Sequence, residues 1–99
     1  MEALVAEHGG DVVGFVNYVL HATTWGTAET CYLEDLFVSP AARGSGAGRA
    51  LIEAVLERSR SRGWDNVYWH TRRDNARARV LYDSLAEADD FVRYVAAGD

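Results

Sequence analysis

The stretch from Cys31 to Ile52 constrains the fold most. CYLEDLFVSP runs into AARGSGAGRALI: an apolar run carrying Glu34 and Asp35 stops at Ser39-Pro40, passes through Arg43-Gly44-Ser45-Gly46-Ala47-Gly48, and continues with helical periodicity. It reads as strand, glycine loop, helix. Glycines at alternate positions leave backbone N–H groups unshielded just where a helix N-terminus contributes partial positive charge. Such a loop is a physical site for a phosphate or pyrophosphate.

Two familiar nucleotide loops fit poorly. A Walker-type loop ends in Gly-Lys-Ser/Thr, and the chain has no lysine. A dinucleotide fingerprint is G-x-G-x-x-G, whereas Arg49 follows Gly48 here and the spacing is G-x-G-x-G. Asp65 lies at about the distance expected of a ribose contact, but it precedes the next strand instead of ending it.

With 99 residues, 48% of them hydrophobic and 11% aromatic, the chain is expected to be one domain spanning 1–99 with a thin core. No apolar run approaches a membrane span, and Met1-Glu2-Ala3 lacks the basic flank of a signal peptide, so the expected location is cytoplasmic, with no membrane partner. Cys31 is the lone cysteine, which excludes an internal disulfide and a cysteine-rich metal site, and the histidine separations suggest no metal motif. The net charge of −5 argues against nucleic-acid binding. It also hides an asymmetry: the first 42 residues hold six acidic side chains and no lysine or arginine, and every arginine lies from Arg43 onward. That distribution suits a cationic acceptor and an anionic cofactor, and ordinary surface charge would explain it equally well.

In chain order, Glu2 to Glu7 and Val12 to Leu20 read as strands joined by a hairpin at His8-Gly9-Gly10-Asp11. His21 to Glu29 is a loop, and Cys31 to Val38 returns antiparallel. Within that strand the apolar rhythm breaks around Glu34 and Asp35, which a β-bulge would explain. The helix runs from about Gly46 to Arg62 with Leu51, Ile52, Val55 and Leu56 on its core face. Asn66 to Thr71 is a strand parallel to the one before the loop, completing a right-handed βαβ unit. Asp74 or Asn75 caps a second helix presenting Ala78, Leu81, Tyr82 and Leu85 on one face. Phe91 to Ala96 is expected as a last strand.

R-x-x-G-x-G after a strand ending Leu36-Phe37-Val38-Ser39-Pro40 resembles the acetyl-CoA loop of the GNAT N-acetyltransferase superfamily. YLEDLFV before the loop resembles the polyamine acetyltransferases and related small histone or amine acetyltransferases. Asn75-Ala76-Arg77-Ala78-Arg79-Val80-Leu81-Tyr82 is similar to the second signature, N-x-x-A-x-x-L-Y. Two signatures in the right order, separated by a helix and a strand, are specific. The resemblance implies an α+β, GNAT acyl-CoA N-acyltransferase fold, a mixed and mostly antiparallel sheet with a central parallel βαβ unit. It implies an acetyl-CoA-dependent N-acetyltransferase that moves the acetyl group of this cosubstrate directly to a primary amine: a polyamine, amino acid or lysine-like acceptor, as a small molecule or on a peptide. The alternative is a catalytically weak or inactive acyl-CoA-binding module.

Acetyl transfer to an amine requires an unprotonated amine, a donor for the developing oxyanion and an acid for the departing thiolate. The resemblance implies Tyr82 as that acid and Glu34 as the base, acting through water and attracting the ammonium group. Glu34 and Asp35 are adjacent, so without a bulge they point to opposite faces. The implied cofactor contacts fall on the backbone of Leu36, Phe37 and Val38, on the loop Arg43, Gly44, Ser45, Gly46, Ala47 and Gly48, and on Asn75, for which helix capping is an equal explanation. No metal is expected. His21 and His70 are read as structural hydrogen-bonding groups that also stand where an acceptor cleft would be, Trp25 as an aromatic wall or a local anchor, and Cys31 as a buried strand residue. The superfamily usually begins with a strand and two helices ahead of the strand placed here at Glu2, so the fold is expected to be N-terminally truncated, and apolar surface left uncovered implies a homodimer.

Overall fold

The computed structural model describes residues 1–24 and 26–98. Gly9 and Gly10 both take positive φ, 60° and 87°, which closes the hairpin between β1 (Glu2–His8) and β2 (Asp11–His21). After the loop that follows, β3 (Thr30–Val38) pairs antiparallel with β2. A 3₁₀ turn over Pro40–Ala42 leads through the glycine loop into α1 (Ala47–Arg62), then β4 (Val67–Tyr68) and α2 (Ala76–Leu85). The sheet order is β1-β2-β3-β4, with β3 and β4 parallel and joined through α1. The parallel pair therefore closes one edge of the described sheet instead of lying at its centre.

One face of the sheet is buried under α1. Val16, Tyr18, Cys31 and Leu33 from the strands meet Leu51, Ile52 and Val55 from the helix, and Leu36, Val38, Trp69, Leu81 and Tyr82 pack around them. Alternation along β2 explains this: Gly14, Val16 and Tyr18 are buried and their neighbours are not. Gly14 is required by close approach, since a Cβ there would stand 2.8 Å from the Phe37 carbonyl oxygen. The helix is stopped by Gly63 in the left-handed conformation at φ 72°, whose N–H donates to Ser59 O at 2.8 Å. Arg58 donates to the Tyr18 hydroxyl at 2.6 Å and Arg62 to Glu2 at 3.1 Å, tying the end of α1 to the first two strands.

Two expected strands differ from what is observed. Asn66 to Thr71 forms a ladder only at Val67 and Tyr68, because β3 and β4 diverge beyond Tyr32. Residues Phe91 to Ala96 form no strand: the chain after α2 is irregular, with Phe91 87% and Tyr94 92% exposed. A two-residue β4 offers too short an edge for a further strand to pair on. Trp25 lies outside the described residues.

Candidate active site

The bulge expected from the broken rhythm is present. Asn17 pairs with Asp35 and Tyr18 with Leu33, so Glu34 is the extra residue of β3. Its consequence for the backbone is larger than for the side chains. Before the bulge, the Cys31 N–H points at β4, donating to Asn66 O at 3.0 Å; after it, the Ser39 N–H points at β2, donating to Val13 O at 2.8 Å. Strand alternation then turns Leu36 and Val38 toward the open edge where β4 has diverged, and Phe37 toward β2. Without the extra residue the odd-numbered positions would face that edge. The bulge also keeps Leu36 and Val38 on the same buried side as Leu33 and leaves Glu34 and Asp35 both exposed.

A cavity of about 590 Å³ opens in the gap between β3 and the chain after β4. Glu34, Asp35, Leu36 and Phe37 line one side of it, Trp69, His70 and Tyr82 the other, and Ile52 of α1 is also in its wall. Tyr82 and Glu34, far apart in the chain, thus border one space. Tyr82 comes from the core face of α2, its ring edge-on to Trp69 with centroids 5.7 Å apart. Burial pushes its phenol pKa above the ordinary tyrosine value, so it stays protonated at neutral pH. Asp35 accepts from the Asn17 amide at 3.3 Å. A second cavity of about 670 Å³ on the α2 side shares Trp69, His70 and Tyr82 with the first.

The glycine loop lies past the end of β3. Gly44 and Gly46 take φ of 83° and 91°, a conformation that other residues adopt at a cost. The Arg43 N–H donates to Pro40 O at 3.4 Å and the Ser45 N–H to Ala42 O at 3.1 Å, so these two amides are engaged within the turn. Among the described residues, the N–H groups of Gly44, Gly46, Ala47, Gly48 and Arg49 have no backbone acceptor, and the first helical bond is Ala50 N–H to Gly46 O at 3.0 Å. Arg43 folds its side chain back onto the strand end, its Nε donating to Val38 O at 3.3 Å. Asn75 is the N-cap of α2, its side-chain oxygen accepting from the Ala78 N–H at 3.2 Å. It is not among the residues bordering the cavity between β3 and α2.

On the sheet face away from α1, Tyr32 and Tyr68 stack with centroids 4.9 Å apart. His21 Nε2 and the Tyr68 hydroxyl lie 2.8 Å apart, and His70 Nδ1 and the Tyr32 hydroxyl 3.3 Å. Both histidines thus make the hydrogen bonds expected of them, and His70 in addition lines the cavity. Cys31 is fully buried, and desolvation, reinforced by the charge of Glu2, pushes its thiol up to about 11, the opposite of an activated nucleophile. Sequence reasoning did not mark Trp69 or Asn17 as site residues. Their signal was strand phase alone: Trp69 is in phase with Val67, and Asn17 stands opposite the bulge.

The model of the acetyltransferase (GNAT) family matches residues 1–86. The chain belongs to that family. The D-amino-acid N-acetyltransferase HPA3 of Saccharomyces cerevisiae is 44% identical over 85 residues, 86% of this chain and 53% of that protein. The thialysine N-epsilon-acetyltransferase of Bos taurus is 35% identical over 81 residues, 82% of this chain and 47% of its own. The GNAT chain described here therefore spans about half the length of these relatives. Among solved structures, the ribosomal-protein-alanine N-acetyltransferase of Brucella melitensis biovar Abortus 2308 superposes with a TM-score of 0.86 at 27% identity, over 97% of this chain and 70% of that one. An aminoglycoside acetyltransferase from a soil metagenome, at 24% identity and a TM-score of 0.87, covers 98% of this chain and 65% of its own and shares the fold.

Proposed function

We propose that this GNAT domain takes acetyl-CoA as cosubstrate and transfers the acetyl group directly to a primary amine, with a polyamine, an amino acid or a lysine-like side chain as acceptor. The observation that carries the reading is the bulge at Glu34, which frees the backbone edge at Leu36 and Val38 and opens a cavity bordered by both Tyr82 and Glu34.

The donor set fits a thioester of CoA. Unpartnered amides at Gly44, Gly46, Ala47 and Gly48, at the positive end of α1 and beside Arg43, suit a diphosphate. The Leu36 backbone groups and the Val38 N–H on the open edge suit an amide-bearing arm, as strand pairing does, while the Val38 carbonyl is already taken by Arg43 Nε at 3.3 Å. Arg43 and Ser45 contribute to this site by shaping the turn, their own amides being engaged, and Phe37 by its ring, 5.7 Å from that of Phe15. Asn75 supports the site by starting α2. When bound, acetyl-CoA supplies an activated acetyl group.

Tyr82 gives its hydroxyl proton to the departing sulfur, a role for which a buried, protonated phenol is suited. Glu34 draws the acceptor's ammonium group to the cavity mouth and orders the water that begins its deprotonation. The reading includes action in the cytoplasm and pairing with a second copy; the exposed Val80, Phe91, Val92 and Tyr94 support the latter. No described helix is long and apolar enough to cross a membrane.

Thiol release from acetyl-CoA, assayed with a panel of polyamines, amino acids and basic peptides, tests the proposal. Turnover with at least one amine is expected, falling about 100-fold in Tyr82→Phe and in Glu34→Gln. A protein that binds CoA and releases no thiol with any acceptor is an acyl-CoA-binding module instead.

A further inference from the structure

His70 stands where the proposed reaction needs a proton acceptor. It borders the cavity that contains Glu34 and Tyr82, and it also borders the neighbouring cavity on the α2 side. The amine must lose a proton before it can attack, and the best acceptor is a group that titrates near the working pH. Carboxylates open to water are weak bases at neutral pH, whereas imidazole is the side chain whose ordinary range straddles it. Tyr82 is held in its protonated form and is already assigned the opposite task.

The ring of His70 is positioned by its surroundings. Its Nδ1 lies 3.3 Å from the Tyr32 hydroxyl, and it meets Tyr32 and Tyr68 edge-on at centroid distances of 5.4 and 5.9 Å. Tyr68 is in turn fixed by His21 at 2.8 Å. Among the described residues, Nε2 of His70 has no side-chain partner, so one nitrogen orients the ring and the other is left for chemistry.

We propose that His70 Nε2 is the group that takes the proton from the acceptor's ammonium, with the neutral ring carrying its hydrogen on Nδ1 and donating it to the Tyr32 hydroxyl. The N–H bond of the ammonium breaks, its electron pair stays on the amine nitrogen, and the proton passes to Nε2 and from there to solvent. Glu34 then acts on the ammonium by attraction and through its water, upstream of His70. The ring itself meets Tyr32 of β3 and Tyr68, two residues before it, and the charged and titratable groups that border its two cavities are Glu34 and Asp35 from β3, Arg73 from the turn before α2, Arg79, Tyr82 and Asp83 from α2, and Glu87 and Asp89 beyond it.

The proposal rests on the acetyl-transfer reading, and its first test does not need that reaction. Long-range ¹H–¹⁵N spectra of the free protein report the tautomer of each histidine. The expected result is a neutral His70 protonated on Nδ1, shifting toward the other tautomer in Tyr32→Phe. A neutral ring protonated on Nε2, or one that stays neutral down to pH 5, overturns the proposal whether or not the protein turns over. In the thiol-release assay, His70→Gln is expected to lower kcat/KM about 100-fold and to abolish the inflection of its pH profile in the imidazole range, with CoA affinity unchanged. Retention of that inflection in His70→Gln likewise overturns it, while absence of turnover in the unmodified protein counts against the acetyl-transfer reading alone.

Discussion

Adding one methyl group at two neighbouring glycines should have opposite effects. Gly46 is the N-cap of α1 at φ 91°, with open space where a Cβ would stand. The substitution Gly46→Ala meets no steric obstacle and bears only the left-handed backbone cost of roughly 1–2 kcal/mol, offset in part by about 0.4–1 kcal/mol of lost unfolded-state entropy. A net destabilisation of about 1 kcal/mol follows from these two figures. Gly48 lies within the first turn of the helix without a positive φ, and a Cβ there would sit 3.7 Å from Val38 Cγ2 and 3.8 Å from Leu81 Cδ2, ordinary contact distances. Gly48→Ala should therefore stabilise by roughly 0.5–1 kcal/mol, the usual difference between the two residues in a helix. For a domain of this size each kcal/mol moves Tm by about 4–8 °C, so the two variants should fall on either side of the unmodified protein. Urea unfolding at constant m-value measures both. Equal shifts of the same sign would refute the assignment of a strained left-handed cap followed by an unstrained helical glycine.

Alkaline pH should weaken the fold through Cys31. Its thiol pKa is raised from 9.0 to about 11, so the unfolded chain ionises first, and stability present below pH 9 declines as pH rises toward 11. The loss should approach about 2–3 kcal/mol, and Cys31→Ala should flatten the urea midpoint's dependence on pH over that window; an unchanged slope would contradict the attribution. Gly14→Ala should destabilise by about 1–3 kcal/mol on overpacking grounds, because its Cβ would stand 2.8 Å from the Phe37 carbonyl oxygen. A neutral effect on thermal unfolding would show that β2 and β3 are less closely apposed than described.

Local signals that carry their own geometry were legible in the sequence. The Gly9-Gly10 pair, the glycine loop, the period-two burial of β2 and a cap at Asp74 or Asn75 each dictate a conformation without reference to anything distant, and the structure assigns the cap to Asn75. The bulge was legible because Leu33 and Leu36 cannot share a buried face without an extra residue between them. What it does to the backbone edge required knowing which side of β3 faces β2, information held in the pairing register and not in the strand itself. Phe91 to Ala96 misled for the same reason: FVRYVA has strand propensity, but a strand forms only where a partner edge is long enough, and β4 offers two residues. His70 was legible both as a hydrogen-bonding group and as a residue placed where an acceptor cleft would be, because it follows the end of a strand; the cavity it borders opens through the divergence of β3 and β4, which no local pattern encodes.

In the proposed complex, main-chain amides of the glycine loop receive the diphosphate of CoA. Amide ¹H–¹⁵N spectra recorded during titration with CoA test this most directly. The predicted result is saturable movement of the Gly44, Gly46, Ala47 and Gly48 resonances together with those of Leu36 and Val38. CoA that moves none of the loop amides, or moves only resonances remote from the opening between β3 and β4, would contradict it.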